Sequence, residues 1–137
     1  MRKGFVCGAF DLLHVGHLIL LEKCKDNCDY LLVGLHVDPS IERKSKNKPI
    51  QSIFERLMQL KSCKYVDGVI IYETEKELEV ILRNSGIDIR FLGSDYDGSQ
   101  PITAEDAVQT KVIERNHNYS STELVERIKN GRTKNTR

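Results

Sequence analysis

The chain has 137 residues, of which 39% are hydrophobic and 30% are charged, and its formal net charge is +1. This length suits one domain with one hydrophobic core, and so small a charge excludes an overall field that attracts nucleic acid or an anionic membrane. No apolar run approaches the roughly 20 residues that span a bilayer, and Met1-Arg2-Lys3 leads directly into a short strand pattern rather than a signal sequence. We therefore expect a cytoplasmic protein with no nucleic-acid or membrane partner, in which any anion site is local.

Strand and helix patterns alternate from one end of the chain to the other. In chain order they predict a strand at 3–7, a helix at 16–26, a strand at 30–37, a helix at 52–63, a strand at 68–72, a helix at 75–84, a strand at 89–92, a short helix at 103–109, a strand at 111–114 and a helix at 120–128. Strands separated by helices pair in parallel through right-handed crossovers. We expect one α/β domain over 1–128, a doubly wound Rossmann-like fold with a five-stranded parallel sheet, and a basic mobile tail at 129–137.

A pair of histidines stands where the first helix is predicted to begin, in His14-Val15-Gly16-His17. The N-terminus of a helix carries unpaired N–H groups and the positive end of the helix dipole, so it binds phosphate. Capping and packing alone would also explain two histidines at this position. Gly8, Phe10 and Asp11, at fixed offsets upstream, favour phosphate chemistry.

Three further segments follow predicted strands and should meet the histidines at the carboxyl edge of the sheet, where ligands of such sheets bind. In the first, which covers 38–48, Lys44 and Lys46 either form a solvated loop or close over a triphosphate. The second, Gly93-Ser94-Asp95-Tyr96, is either a simple turn or a contact for a nucleotide base.

The last of these segments joins Arg115 to three consecutive hydroxyls, Ser120-Ser121-Thr122, at a predicted helix start. Ser120 needs no functional explanation as an N-cap, but an arginine behind three hydroxyls favours a second anion site. The chain has no G-x-x-x-x-G-K-[ST], G-x-S-x-G or H-E-x-x-H motif. A reaction that depends on positioning and charge stabilisation fits these residues best.

Residues 8–17, Gly8-Ala9-Phe10-Asp11-Leu12-Leu13-His14-Val15-Gly16-His17, resemble the signature of the cytidylyltransferase-like nucleotidyltransferases. Arg115 with Tyr119-Ser120-Ser121-Thr122 resembles the second signature of that family. The likeness covers about residues 3–128, and chain length and loop placement are most similar to the homodimeric glycerol-3-phosphate cytidylyltransferases. The resemblance implies transfer of CMP from CTP to a small phosphorylated alcohol with release of pyrophosphate, in a homodimer, with Mg²⁺ accompanying the triphosphate.

The resemblance also implies a role for individual side chains. The residues implied for catalysis stabilise charge on the phosphates: His14, His17, Lys46 and Arg115. The residues implied for nucleotide binding lie in the same segments: Gly8, Ala9, Phe10, Asp11, Gly16, Lys44, Gly93, Asp95, Tyr96, Tyr119, Ser120 and Ser121. Weaker candidates for acceptor contacts are Asp38, Arg56 and Lys64, and no metal ligand is identified.

Some positions depart from the family pattern. Ala9 stands where threonine is common, Asn118 where glycine is common, and Tyr96 where tryptophan is common. Adenylyl-transferring relatives, including heptose-phosphate and flavin-nucleotide enzymes, share the first signature. Two alternatives therefore stay open, an ATP-dependent adenylyltransferase of the same superfamily and a catalytically idle nucleotide-binding protein.

Overall fold

The computed structural model describes residues 1–93 and 101–131. Over these residues the chain forms one parallel sheet in the order β3-β2-β1-β4-β5 and four helices. The elements are β1 (Lys3–Gly8), α1 (Val15–Asp26), β2 (Tyr30–His36), α2 (Ile53–Lys61), β3 (Gly68–Tyr72), α3 (Glu75–Asn84), β4 (Ile89–Gly93), β5 (Gln109–Ile113) and α4 (Ser121–Asn130). The predicted five-stranded, all-parallel sheet is confirmed, and none of these helices has both the length and the apolar character needed to cross a membrane.

The sheet is covered on both faces. On one face, Leu21 of α1 and Leu60 of α2 are fully buried with the side chains of Val33 and Phe91. On the other face, α3 packs against residues of β1 and β3, and the buried set there includes Phe5, Tyr72, Leu78, Ile81 and Leu82. Because side chains alternate along a strand, neighbouring residues of β4 contribute to opposite faces. This two-sided burial explains why β2 is almost entirely apolar.

Helix starts follow the local signals in the sequence. Ser52 caps α2, and its hydroxyl accepts a hydrogen bond from the N–H of Glu55 while the Glu55 carboxylate accepts one from the N–H of Ser52. Thr74 and Glu77 form the same reciprocal arrangement at α3. Such capping boxes satisfy N–H groups that the helix leaves unpaired. They set where the polypeptide turns back over the sheet.

The structure corrects the prediction of a short helix at 103–109. Residues 103–107 form turns, and Ala104 adopts φ 57°, a left-handed conformation that interrupts a helix. Both Ala104 and Val108 are buried beside α3, so the segment serves as a cover for the sheet. β5 begins at Gln109, two residues before its predicted start.

The last helix extends beyond its predicted end. α4 continues to Asn130 and stops at Gly131, whose φ of 70° suits glycine. Lys129 and Asn130, which we assigned to the tail, are therefore helical. The rest of the predicted mobile tail, 132–137, lies outside the described residues.

Candidate active site

A cleft of about 750 Å³ opens at the carboxyl edge of the sheet. Its walls include the ends of β1 and β4, the segment before α1, the polar loop after β2 and the start of α4. The described parts of the predicted segments therefore meet in one cleft, as expected for the edge of a parallel sheet. Most of the predicted nucleotide-site residues line it: Gly8, Ala9, Phe10, Asp11, His14, Gly16, His17, Lys46, Gly93, Arg115, Tyr119, Ser120 and Ser121.

The loop between β1 and α1 has an unusual backbone. Phe10 and Leu12 adopt φ values of 48° and 51°, in the left-handed region that costs a non-glycine residue roughly 1–2 kcal/mol. The Asp11 carboxylate holds this loop in place by accepting hydrogen bonds from the N–H groups of Ile50, at 2.8 Å, and Gln51, at 2.9 Å. In return, the Gln51 side-chain oxygen accepts from the N–H of Leu12 at 2.7 Å. Asp11 thus joins the loop to the segment before α2.

His14 and His17 form a reciprocal cap at the start of α1. Nδ1 of His14 accepts a hydrogen bond from the N–H of Gly16 at 3.0 Å, and Nδ1 of His17 accepts from the N–H of His14 at 3.2 Å. The two rings are stacked with their centroids 3.9 Å apart. An imidazole whose Nδ1 accepts carries its proton on Nε2. The capping interpretation and the phosphate interpretation are therefore compatible, because capping uses Nδ1 and leaves the Nε2 protons as donors.

Both imidazoles are neutral at pH 7. Burial first, and then the charge of His14, lower the pKa of His17 to about 3. Burial, followed by electrostatic repulsion from the neighbouring Arg115 and His117 side chains, also lowers the pKa of His14. These side chains can thus donate hydrogen bonds to a phosphate without having to lose or gain a proton.

The start of α4 lies against the β1–α1 loop. Ser120 is the N-cap and accepts from the N–H of Glu123 at 3.0 Å, while the Ser121 hydroxyl donates to the backbone oxygen of Asp11 at 2.9 Å. An Nη2 donor of Arg115 contacts the backbone oxygen of Tyr119. This arrangement brings a second helix N-terminus to the edge of the cleft, which is a favourable place for negative charge.

His117 is a third imidazole at this site, and it was not among the predicted site residues. A Cβ atom added to Gly16 would lie 2.9 Å from Cε1 of His117 and 2.9 Å from Cε1 of His14. Nδ1 of His117 accepts from the N–H of Tyr119 at 3.2 Å. The sequence signal for His117 was its position inside the second signature-like segment, but the approach of its ring to Gly16 is visible only in the structure.

The lysine loop contributes unequally to the cleft. Lys46 and Lys48 are exposed and line it, whereas Lys44 lies in the same loop but outside the lining residues. On the opposite side, Gly93 ends β4 at the cleft. The predicted base contacts Asp95 and Tyr96 lie outside the described residues.

None of the three predicted acceptor contacts lies in the cleft lining. Asp38 is occupied by Ser40, whose hydroxyl and N–H both donate to its carboxylate. Lys64 borders a separate, mainly apolar hollow of about 530 Å³ beside α1.

Arg56, the third candidate, is 3% exposed and lies under the β1–α1 loop. Its guanidinium donates to four backbone oxygens, those of Gln51, Ala9, His36 and Val37. These four bonds connect the ends of β1 and β2 with the start of α2. The geometry makes Arg56 a support for the cleft.

The implied Mg²⁺ would depend on the substrate for its ligands. Within residues 1–93 and 101–131, no group of three or more His, Cys, Asp or Glu side chains could hold a metal ion. The Asp11 carboxylate already accepts from two backbone N–H groups. Mg²⁺ in nucleotide sites is usually held largely by substrate phosphates and water, so the ion stays a prediction tied to the triphosphate.

Comparison with known proteins identifies relatives of this arrangement. A family model described as cytidylyltransferase-like matches residues 5–127. The bifunctional protein HldE of a Nitratiruptor species is 36% identical over 129 residues, which are 93% of this chain and 28% of that protein. HldE of Helicobacter pylori (strain G27) is 37% identical over 126 residues, which are 91% of this chain and 27% of that protein. The chain thus spans little more than a quarter of the length of these curated relatives.

Two solved structures have a similar fold. The lipopolysaccharide core biosynthesis protein from Thermoplasma volcanium GSS1 matches with a TM-score of 0.67 and 24% identity, covering 87% of this chain and 99% of that one. The pantoate-beta-alanine ligase from Francisella tularensis, solved with beta-gamma ATP and beta-alanine, matches with a TM-score of 0.53 and 16% identity. That match covers 90% of this chain and 67% of the ligase chain. At these identities the two likenesses show a shared fold.

Proposed function

We propose that this chain, which belongs to the cytidylyltransferase-like family of nucleotidyltransferases, transfers an adenylyl group from ATP to the phosphate of a sugar phosphate. An oxygen of the acceptor phosphate forms a bond to the α-phosphorus of ATP. The bond from that phosphorus to the bridging oxygen breaks, and pyrophosphate leaves with the electron pair. The products are a nucleoside-diphosphate sugar and pyrophosphate.

The observation that carries the proposal is the pair of neutral imidazoles at the start of α1. Their Nδ1 atoms are occupied by backbone N–H groups, so the Nε2 protons are the remaining donors. Negative charge builds up on the oxygens around the α-phosphorus during the displacement, and preorganised donors stabilise it. His14 and His17 fit this role because their rings are held rigidly before any substrate arrives.

The other proposed roles belong to residues in the remaining walls of the cleft. Lys46 is exposed and flexible, so it can approach the phosphates from the loop after β2. Arg115, Ser120 and Ser121 would hold the β- and γ-phosphates near the start of α4, where the helix dipole favours them. The contacts of Gly93, Asp95 and Tyr96 with the base remain predictions from the resemblance.

Similarity to HldE favours the adenylyl branch of the family. Our sequence interpretation preferred CTP and a glycerol 3-phosphate-like acceptor, with ATP and a sugar phosphate as the alternative. Several relatives at 33–39% identity are HldE proteins, and they support the alternative better than the main interpretation. Since this chain spans about 28% of the first of these relatives, the proposal concerns this one activity. A homodimer in the cytoplasm also remains part of the proposal.

Pyrophosphate release tests the assignment directly. The purified chain is assayed with each of ATP, CTP, GTP and UTP against heptose and hexose 1-phosphates and glycerol 3-phosphate. We expect release with ATP and a sugar phosphate, whereas release only with CTP and glycerol 3-phosphate would restore the sequence-based interpretation. No release with any pair would favour the idle nucleotide-binding protein.

A substitution at His17 tests the mechanism. His17→Asn keeps an acceptor for the N–H of His14 but removes the Nε2 donor, so we expect kcat to fall about 100-fold or more, as for loss of a transition-state donor. Ser62→Ala, an exposed change at the end of α2, is the control for handling and folding. Turnover of His17→Asn equal to that of the parent protein would remove His17 from the mechanism.

A further inference from the structure

Arg90 is a buried cation with no counter-charge among the described residues. It lies on β4, lines the cleft and is 4% exposed. One Nη1 donor contacts the backbone oxygen of Thr103 at 2.7 Å, and the buried Nε has no hydrogen-bond partner within residues 1–93 and 101–131. Within the described ranges no carboxylate lies within ion-pair distance of it. Burying a charge in this state is costly, so the guanidinium is suited to bind an anion that the described residues do not supply.

A carboxylate belongs to the same hydrogen-bond network as Arg90, but it already accepts hydrogen bonds from other side chains. Glu75, at the start of α3, accepts from Nη2 of Arg43 at 2.8 Å and from the hydroxyl of Thr103 at 2.9 Å. Thr103 in turn presents its backbone oxygen to Arg90. Arg43 therefore neutralises Glu75, and the positive charge of Arg90 remains available to a ligand.

A second unpartnered polar atom lies on the adjacent strand. Thr110 of β5 pairs in register with Arg90, and its hydroxyl oxygen is buried without a hydrogen-bond partner among the described residues. Registered residues of parallel strands point to the same face of the sheet. Two polar groups that are left unpaired side by side are rare in native proteins unless something else binds them.

Arg90 also lies on the face of the sheet opposite to α1. It pairs in register with Phe5, which packs with the α3 side of the core, whereas Leu21 of α1 packs on the opposite face. In the proposed reaction the attacking and leaving oxygens are roughly in line through the α-phosphorus. If pyrophosphate leaves toward the start of α4, the acceptor phosphate has to approach from the side of the cleft away from α4.

We infer that Arg90 is the main contact for the phosphate monoester of the acceptor. The inference rests on the proposed function and identifies an acceptor subsite within the cleft, whose lining does not include Asp38, Arg56 or Lys64. A guanidinium matches the geometry of a phosphate and forms two parallel, charge-assisted hydrogen bonds with it. The positive charge of the guanidinium also offsets part of the charge of the dianion, so that its oxygen can approach the negatively charged triphosphate.

Kinetics of Arg90 variants test the subsite. Arg90→Met keeps a long, apolar side chain, and we expect kcat/KM for the sugar phosphate to fall at least tenfold, mostly through KM, while KM for ATP changes less than twofold. Arg90→Lys keeps the positive charge but lacks the paired N–H donors of a guanidinium. Its kcat/KM for the sugar phosphate should lie between the values of the parent protein and Arg90→Met. Arg83→Met is the matched control, since Arg83 is an exposed arginine of α3 that forms ion pairs with Glu79 of the same helix and with Asp106.

Unfolding in urea separates a ligand contact from a structural tie. If Arg90 serves the ligand, Arg90→Met should unfold at a urea concentration equal to or higher than that of the parent protein, because an uncompensated buried charge is removed. A lower midpoint with an unchanged KM for the sugar phosphate would overturn the inference in favour of a tie to Thr103. An increase confined to the KM for ATP would also overturn it, because it would place Arg90 in the nucleotide site.

Binding of inorganic phosphate, measured by calorimetry, is independent of turnover. We expect a phosphate site that is kept in His17→Asn and lost in Arg90→Met. That result would support the subsite even if the parent protein released no pyrophosphate and the proposed function failed. Phosphate binding that survives in Arg90→Met to the same extent as in the parent protein would refute the subsite whatever the reaction.

Discussion

The buried imidazole of His17 couples protein stability to pH, and one substitution can isolate this coupling. In the folded chain, burial and the neighbouring His14 lower the pKa of His17 to about 3. In the unfolded chain the imidazole returns to its ordinary pKa of about 6.5. Between these two values the unfolded state binds a proton that the folded state does not bind. Acid therefore favours unfolding, and the stability present above pH 6.5 is lost as the pH falls.

The magnitude follows from the two pKa values. At pH 7 the unfolded imidazole is mostly neutral, and its partial protonation lowers the free energy of unfolding by only about 0.2 kcal/mol; we call this decrease the cost. At pH 5 the unfolded imidazole is almost fully protonated while His17 in the folded state is not, and the cost is about 2 kcal/mol. Any folded-state pKa below about 4 gives nearly the same cost at pH 5.

Urea unfolding at pH 7 and pH 5 measures this cost. The free energy of unfolding that is lost between pH 7 and pH 5 is measured for the parent protein and for His17→Asn. One loss is then subtracted from the other, so that contributions of other titrating groups largely cancel. We expect the variant to lose about 2 kcal/mol less than the parent. Ser121→Ala, which removes a hydroxyl from the same site and no titrating group, should keep the loss of the parent. Equal losses in the parent and His17→Asn would refute a neutral, buried His17.

Three further substitutions test the supports and walls of the cleft. Arg56→Met leaves four backbone oxygens without their donor and should lower the free energy of unfolding by about 3 kcal/mol or more. Its control is Lys61→Met on the surface of α2, which should change the free energy of unfolding by less than about 0.5 kcal/mol. Gly16→Ala places a methyl group 2.9 Å from two imidazole carbons and should lower kcat at least tenfold with an unchanged circular dichroism spectrum; unchanged turnover would show that the rings need not hold their positions. Lys46→Ala should lower kcat/KM for ATP about tenfold without loss of stability, and an equal loss in the exposed control Lys76→Ala would show that only net charge matters.

The fold was predictable because its signals are local. Alternating apolar runs and caps such as Ser52 with Glu55 depend on residues a few positions apart, and the structure confirms the order of strands and helices. The one false helix, at 103–109, shows the limit of such signals. There the burial of Ala104 and Val108 beside α3 accompanies a set of turns, which local preference does not reveal.

Roles within the site were less predictable, because they depend on contacts between distant positions. The donors to Asp11 lie about 40 residues away, and Ser121 reaches the backbone of Asp11 across 110 residues. The family resemblance implied Arg56 as a candidate acceptor contact, and nothing near it in the sequence showed that its donors are used by carbonyls at the ends of two strands. His117 and Arg90 gave no clear signal for the same reason.

Many of the residues that line the cleft could be located in the sequence alone, since the H-x-G-H pair, the lysine loop and the arginine with its hydroxyls are each short and contiguous. The use of each side chain became visible in the folded chain. His14 and His17 cap α1 through Nδ1 and keep their Nε2 protons, the guanidinium of Arg56 is bonded to four backbone oxygens, and Arg90 has no counter-charge among the described residues. The physical reason is that hydrogen-bond partners and burial are shared among segments that meet only when the sheet forms.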